Sequence, residues 1–108
     1  RVHLIDRYMH PQPRLALTPA LRRHASGAMD VSDGFAGDLA KLLAASGASG
    51  EVEAEAVPLS AAARAALAAR PALLDRILTG GDDYEILCTV PDERSADFMA
   101  EAAASGIA

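Results

Sequence analysis

Apolar residues recur along this chain in short runs, and their period separates helices from strands. Leu4, Ile5, Tyr8 and Met9 stand at helical spacing, and Pro11 and Pro13 close the run, because a residue before proline is pushed out of the α region. The spacing predicts the last turns of a helix over 3–9. Thr18-Pro19 reads as an N-cap with proline at the first helical position, so a second short helix should run to about His24 and stop at Ser26-Gly27. Residues 28–31 are short and apolar enough for a buried strand. Beyond a Ser-Asp-Gly turn, Phe35, Leu39, Leu42 and Leu43 fall at i, i+4, i+7 and i+8, the apolar face of a helix over 35–45 that Ser46-Gly47 ends.

The second half repeats the alternation. Glu51, Glu53 and Glu55 interleave with Val52, Ala54 and Ala56, a period of 2 that predicts a strand over 51–57 with its carboxylates on one face. Ser60 should cap an alanine-rich helix to about Ala69. Pro71 should open another to about Leu78, broken by Thr79-Gly80-Gly81. Tyr84 onward, YEILCTV, is β-branched and aromatic and gives the best strand, over 84–90, closed by Pro91. Asp92 should then cap a last helix over 93–104. Helices alternating with short strands predict an α+β or a layered α/β/α arrangement.

At 108 residues there is room for one domain with a modest core. Apolar residues reach 51% while aromatics are 4%, so closely packed alanine-rich helices must supply much of the burial. A net charge of −5 with scattered arginines leaves no basic footprint for nucleic acid. The single cysteine, Cys88, excludes an internal disulfide and a clustered zinc site, reads as an inert core residue, and suits a reducing cytoplasm. Neither a membrane-length apolar run nor a signal-peptide h-region is present. The start at Arg1 and the end at Gly106-Ile107-Ala108, where an apolar run begins, give the expectation that this is a piece of a longer protein.

Acidic residues gather at two turns. In Asp30-Val31-Ser32-Asp33-Gly34 a strand would point Asp30 and Ser32 the same way, and the turn brings Asp33 beside them. Mg²⁺ takes one or two carboxylates together with phosphate oxygens and water, which Asp30 and Asp33 could supply, and the following helix presents free N–H groups to an anion. Capping by Ser32 or Asp33 is the other reading of the turn; it leaves Asp30 as a buried carboxylate in want of a partner. In Gly80-Gly81-Asp82-Asp83-Tyr84-Glu85 the alternation would set Asp83 and Glu85 on one side, Asp82 and Tyr84 on the other. That cluster suits a cation, a polar ligand or a solvated turn. Arg14 could meet an anion or pack on the surface. His3, His10 and His24 share no metal-ligand spacing, and no P-loop or nucleophile-elbow motif occurs.

Taken together, RYMHPQPRL, AMDVSDGFAGDL and LTGGDDYEILCTVP, in this order, resemble the C-terminal part of the thiamine-monophosphate kinase family, within the superfamily named after aminoimidazole ribonucleotide synthetase. The resemblance spans nearly the whole chain. It implies a single C-terminal α+β domain of layered α/β/α type over 1–108, incomplete at its C-terminal end, whose N-terminal ATP and metal domain lies outside the chain. The implied activity is transfer of the γ-phosphate of ATP to thiamine monophosphate, with Mg²⁺, in a cytoplasmic homodimer; this chain alone would be inactive. Position by position, the resemblance makes Asp30 and Asp33 magnesium ligands and Ser32 a nucleotide contact. It places Asp82 at the thiamine substrate, with Asp83 in support. Phe35 stands where the family usually has Leu. A related synthetase working through a phosphorylated amide, and a non-enzymatic Mg²⁺ or nucleotide-binding domain, are the alternatives.

Overall fold

The computed structural model describes residues 2–82 and 84–107. Its elements run α1 (Val2–Met9), α2 (Thr18–His24), β1 (Gly27–Asp30), α3 (Phe35–Ala45), α4 (Ala61–Ala69), α5 (Leu73–Thr79), β2 (Ile86–Thr89) and α6 (Asp92–Ala104), with 3₁₀ turns at Leu15–Leu17 and Ala54–Ala56. The α+β class is as expected. Its sheet is an antiparallel ribbon in which Gly27 faces Thr89, Ala28 faces Cys88, Met29 faces Leu87 and Asp30 faces Ile86.

The helices attach to this ribbon in two groups. α3 packs on both strands and on α5, and α5 meets α4. α2 packs against α6, where Glu101 binds Arg23 at 2.7 Å and His24 at 2.9 Å. Ser26, just beyond α2, fastens that pair to the ribbon: its N–H donates to the Thr89 carbonyl at 2.8 Å, and its hydroxyl meets the Thr89 hydroxyl at 3.0 Å. Among the described apolar residues only Ala20, Val31 and Leu42 are fully buried. The radius of gyration, 14.5 Å, accordingly exceeds the ~13 Å of a close-packed domain of this length. The apolar face of α1 stays open, with Ile5 54% and Tyr8 79% exposed.

Four expectations change. Thr18, read as an N-cap, is itself the first residue of α2, which has no side-chain capping bond. Residues 51–57 form no strand but an irregular segment holding the 3₁₀ turn, since Glu and Ala favour strands weakly and neither ribbon strand pairs with them. The strand expected over 84–90 is trimmed to Ile86–Thr89, because Tyr84 has a φ of 56° that no strand accommodates. Ser60 caps α4 as read, accepting the Ala63 N–H at 3.1 Å, whereas Asp92 is itself the first residue of α6 and makes no capping bond.

Two glycines let the halves of the chain meet. Gly34 has a φ of 110°, and a Cβ there would stand 2.6 Å from the Thr79 carbonyl oxygen and 2.9 Å from that of Gly80. A Cβ on Gly81 would collide with the Ser32 carbonyl oxygen. Gly37, inside α3, has open space where its Cβ would be. Gly34→Ala should therefore lower the unfolding free energy by about 2 kcal/mol through clash and strain. Gly37→Ala should raise it by roughly 0.5–1 kcal/mol through helix propensity alone. Urea denaturation of both variants checks the opposite signs.

Candidate functional site

Beyond Asp30 the ribbon frays into two turns, but its hydrogen bonding continues. Val31 donates its N–H to the Glu85 carbonyl at 2.9 Å, and Asp82 donates to the Ser32 carbonyl at 2.9 Å. These bonds, with Gly34 and Gly81 at the contact points, bring the acidic motifs together. A cleft of about 420 Å³ opens there, lined by Asp30, Ser32, Asp82, Tyr84, Glu85 and Arg14 among others. The alternation expected to part Asp82 and Tyr84 from Glu85 does not hold, since Asp82 (φ 61°) and Tyr84 (φ 56°) are left-handed. For residues other than glycine such backbone costs of order 1–3 kcal/mol each, and it concentrates at functional sites.

Asp30, Ser32 and Asp82 share the cleft. Asp30 is exposed, so the expectation of a buried carboxylate is corrected: as the last residue of β1 it sits on the open side of the ribbon. Asp33 lies outside the cleft wall, 69% exposed and paired with Lys41. Asp83 lies outside the described residues. Neither Ser32 nor Asp33 caps α3, whose N-cap is Gly34 with no side-chain capping bond.

The capping chemistry runs the other way, from a residue that sequence reasoning missed. Asp38, in the first turn of α3, is 0% exposed. One of its oxygens, Oδ2, accepts the backbone N–H of Ser32 at 3.0 Å and of Asp33 at 2.9 Å; the other, Oδ1, accepts from Lys41 Nζ at 3.0 Å. Lys41 also binds Asp33 Oδ2, so one ammonium joins two carboxylates. A signal existed in the sequence, an Asp a helical turn into α3 with Lys at i+3. It reads equally as a helix-dipole residue with an exposed ion pair.

Arg14, residing 71 positions away in sequence, reaches across the cleft to Glu85. Its Nε donates to Oε2 at 2.8 Å and its Nη2 to Oε1. Arg14 is 17% exposed and Glu85 48%. This pair gives the Glu85 carboxylate a partner, and it raises the Arg14 pKa, chiefly through the hydrogen bonds to Glu85. Burial pushes the Cys88 thiol up, which keeps it protonated and inert at neutral pH.

Among the described residues no three His, Cys, Asp or Glu side chains gather as a metal site, and no helix is long and apolar enough to cross a membrane.

Residues 3–108 match the family model "AIR synthase related protein, C-terminal domain". The chain is 40% identical over 107 residues to thiamine-monophosphate kinase of Caulobacter vibrioides, covering 96% of this chain and 30% of that protein. With the Salmonella typhimurium thiamine-monophosphate kinase it shares 41% over 90 residues, 83% of this chain and 27% of that protein. Among solved structures, thiamine-monophosphate kinase from Stenotrophomonas maltophilia superposes with a TM-score of 0.85 at 36% identity, over 94% of this chain and 32% of that one. A structure described as AaThiL complexed with AMPPCP and TMP superposes at 0.78 with 32% identity, over 90% and 32%. The chain thus spans about a third of the length of the relatives it matches.

The carboxyl group of Asp38 is held below the usual carboxylate range, first by the Lys41 ammonium and then by the Asp33 N–H, against the opposing effect of burial. A folded pKa below the unfolded value of 3.8 means that the unfolded chain takes up the proton first as pH falls. The stability that Asp38 contributes is complete above that value and is lost as pH drops through the lower folded one. Asp38→Asn should consequently flatten the acid limb of a stability-versus-pH curve measured by denaturant melts. An acid limb as steep as in the unsubstituted protein would contradict the assignment.

Proposed function

The chain belongs to the AIR synthase related protein family through its C-terminal domain, and on that premise we propose that it is the C-terminal domain of an ATP-dependent kinase acting on thiamine monophosphate. The observation that carries this reading is the meeting of the two acidic motifs in one cleft through the backbone bonds at Ser32 and Glu85. Support comes from relatives named thiamine-monophosphate kinase, similar over most of this chain, and from the neighbour whose description names AMPPCP, an ATP analogue, and TMP.

In the reaction a phosphate oxygen of thiamine monophosphate attacks the γ-phosphorus in line. The bond from that phosphorus to the oxygen bridging it to the β-phosphorus breaks, leaving ADP and thiamine diphosphate. Such a displacement asks the protein for positioning and charge neutralisation rather than a side-chain nucleophile. Ser32, exposed on the cleft wall, hydrogen-bonds the nucleotide. Asp82 faces the substrate, where its charge offsets the thiazolium cation, with Asp83 assigned to its support by sequence position alone. Arg14, locked by Glu85, sets a fixed cation in the wall.

Asp30 and Asp33 are the residues that would hold Mg²⁺. They are hard oxygen donors flanking one turn, and two carboxylates match the habit of Mg²⁺ of completing its shell with phosphate oxygens and water. Bound there, the ion supplies neutralisation of oxyanion charge on the nucleotide. The same reading takes the parent enzyme to be a cytoplasmic homodimer and places activity in that parent rather than in this chain.

In the full-length parent enzyme, Asp30→Ala should lower ATP-dependent thiamine diphosphate formation by about 10²-fold or more. Turnover equal to the unsubstituted enzyme would sink the proposal.

A further inference from the structure

We infer that Asp38 is a positioning residue for nucleotide binding: its buried carboxylate fixes the Ser32-Asp33 backbone and so aims two side chains that touch ligands, without touching any ligand itself. The inference rests on the kinase reading of the cleft and assigns it a residue one helical turn behind the wall.

A carboxylate with no exposed surface must be satisfied internally, since an unpaired buried charge is strongly unfavourable. No described buried side-chain polar atom lacks a partner. What distinguishes Asp38 is where its bonds go. Both amides received by Oδ2 belong to the turn and not to α3, so the helix grips the loop that precedes it. Ser32 and Asp33 are themselves exposed, and exposed turn amides ordinarily bond to water and let the turn move. With their N–H groups held at 3.0 and 2.9 Å, and the Ser32 carbonyl held by the Asp82 N–H at 2.9 Å, the Ser32 peptide groups are fixed on both sides. The directions of the Ser32 hydroxyl and the Asp33 carboxylate follow from that backbone. Lys41 completes the device by spanning Asp38 and Asp33, which ties the second side chain to the same anchor.

The test uses the full-length parent enzyme with Asp38→Asn, which keeps the size of the side chain and removes one acceptor oxygen and the charge. The KM for ATP and the Kd for Mg²⁺–AMPPCP by calorimetry should each rise about tenfold, while the KM for thiamine monophosphate stays within about twofold, as expected for loss of a charged hydrogen bond felt at one subsite. Nucleotide parameters unchanged, or both KM values rising together, would overturn the positioning role. An unsubstituted enzyme that binds no AMPPCP would instead overturn the kinase reading. Where Asp38→Asn fails to fold, amide exchange in the unsubstituted enzyme decides. Ser32 and Asp33 amides should be protected by about 10²-fold or more over free peptide, and exchange at the free-peptide rate would overturn the inference.

Discussion

The 31–34 turn and the 79–82 turn approach so closely that neither tolerates a side chain where they touch. Gly34 and Gly81 are the points of contact, each facing carbonyl oxygen of the other segment. Two backbone hydrogen bonds then lock the turns in register. The cleft, the shared orientation of Asp30, Ser32 and Asp82, and the left-handed backbone of Asp82 and Tyr84 depend on that contact. Strain in the second turn persists because the surrounding bonds leave it no alternative.

A concentration of carboxylates at one place would repel itself apart without counter-charges, and the chain supplies them from outside the motifs. Arg14, in the loop between α1 and α2, neutralises Glu85; Lys41, on α3, neutralises Asp33 and Asp38. Among the described residues of the two motifs Asp30 and Asp82 have no ion-pair partner, and both line the cleft. Deployed this way, the structural cations leave a small residual anionic patch on the cleft wall.

Local signals read well where one segment decides its own fate. The i, i+4, i+7, i+8 pattern of Phe35, Leu39, Leu42 and Leu43 gave α3 with its observed ends, and the Ser60 hydroxyl gave the start of α4. Reading failed where the answer lay in a distant partner. The 51–57 alternation needed a neighbouring strand and found none; Tyr84 lost its strand geometry to a left-handed φ of 56° beside the turn in which Asp82 bonds the Ser32 carbonyl. Both acidic motifs were visible as compositions, but their meeting was not, since it is made by backbone atoms that every sequence carries. Asp38 was hidden for a related reason: its partners are N–H groups, and only three-dimensional placement separates a surface helix-dipole residue from a buried anchor.

The same backbone closure makes the length of the intervening chain nearly irrelevant to the cleft. The stretch between the end of α3 and the start of α4 is exposed over most of its length and pairs with neither strand. For a flexible segment, closure entropy grows only with the logarithm of length, by about 0.6 kcal/mol for each doubling. Insertions and deletions can therefore accumulate between α3 and α4 while the two turns keep their contact, so lineages can diverge in size here without disturbing the cleft.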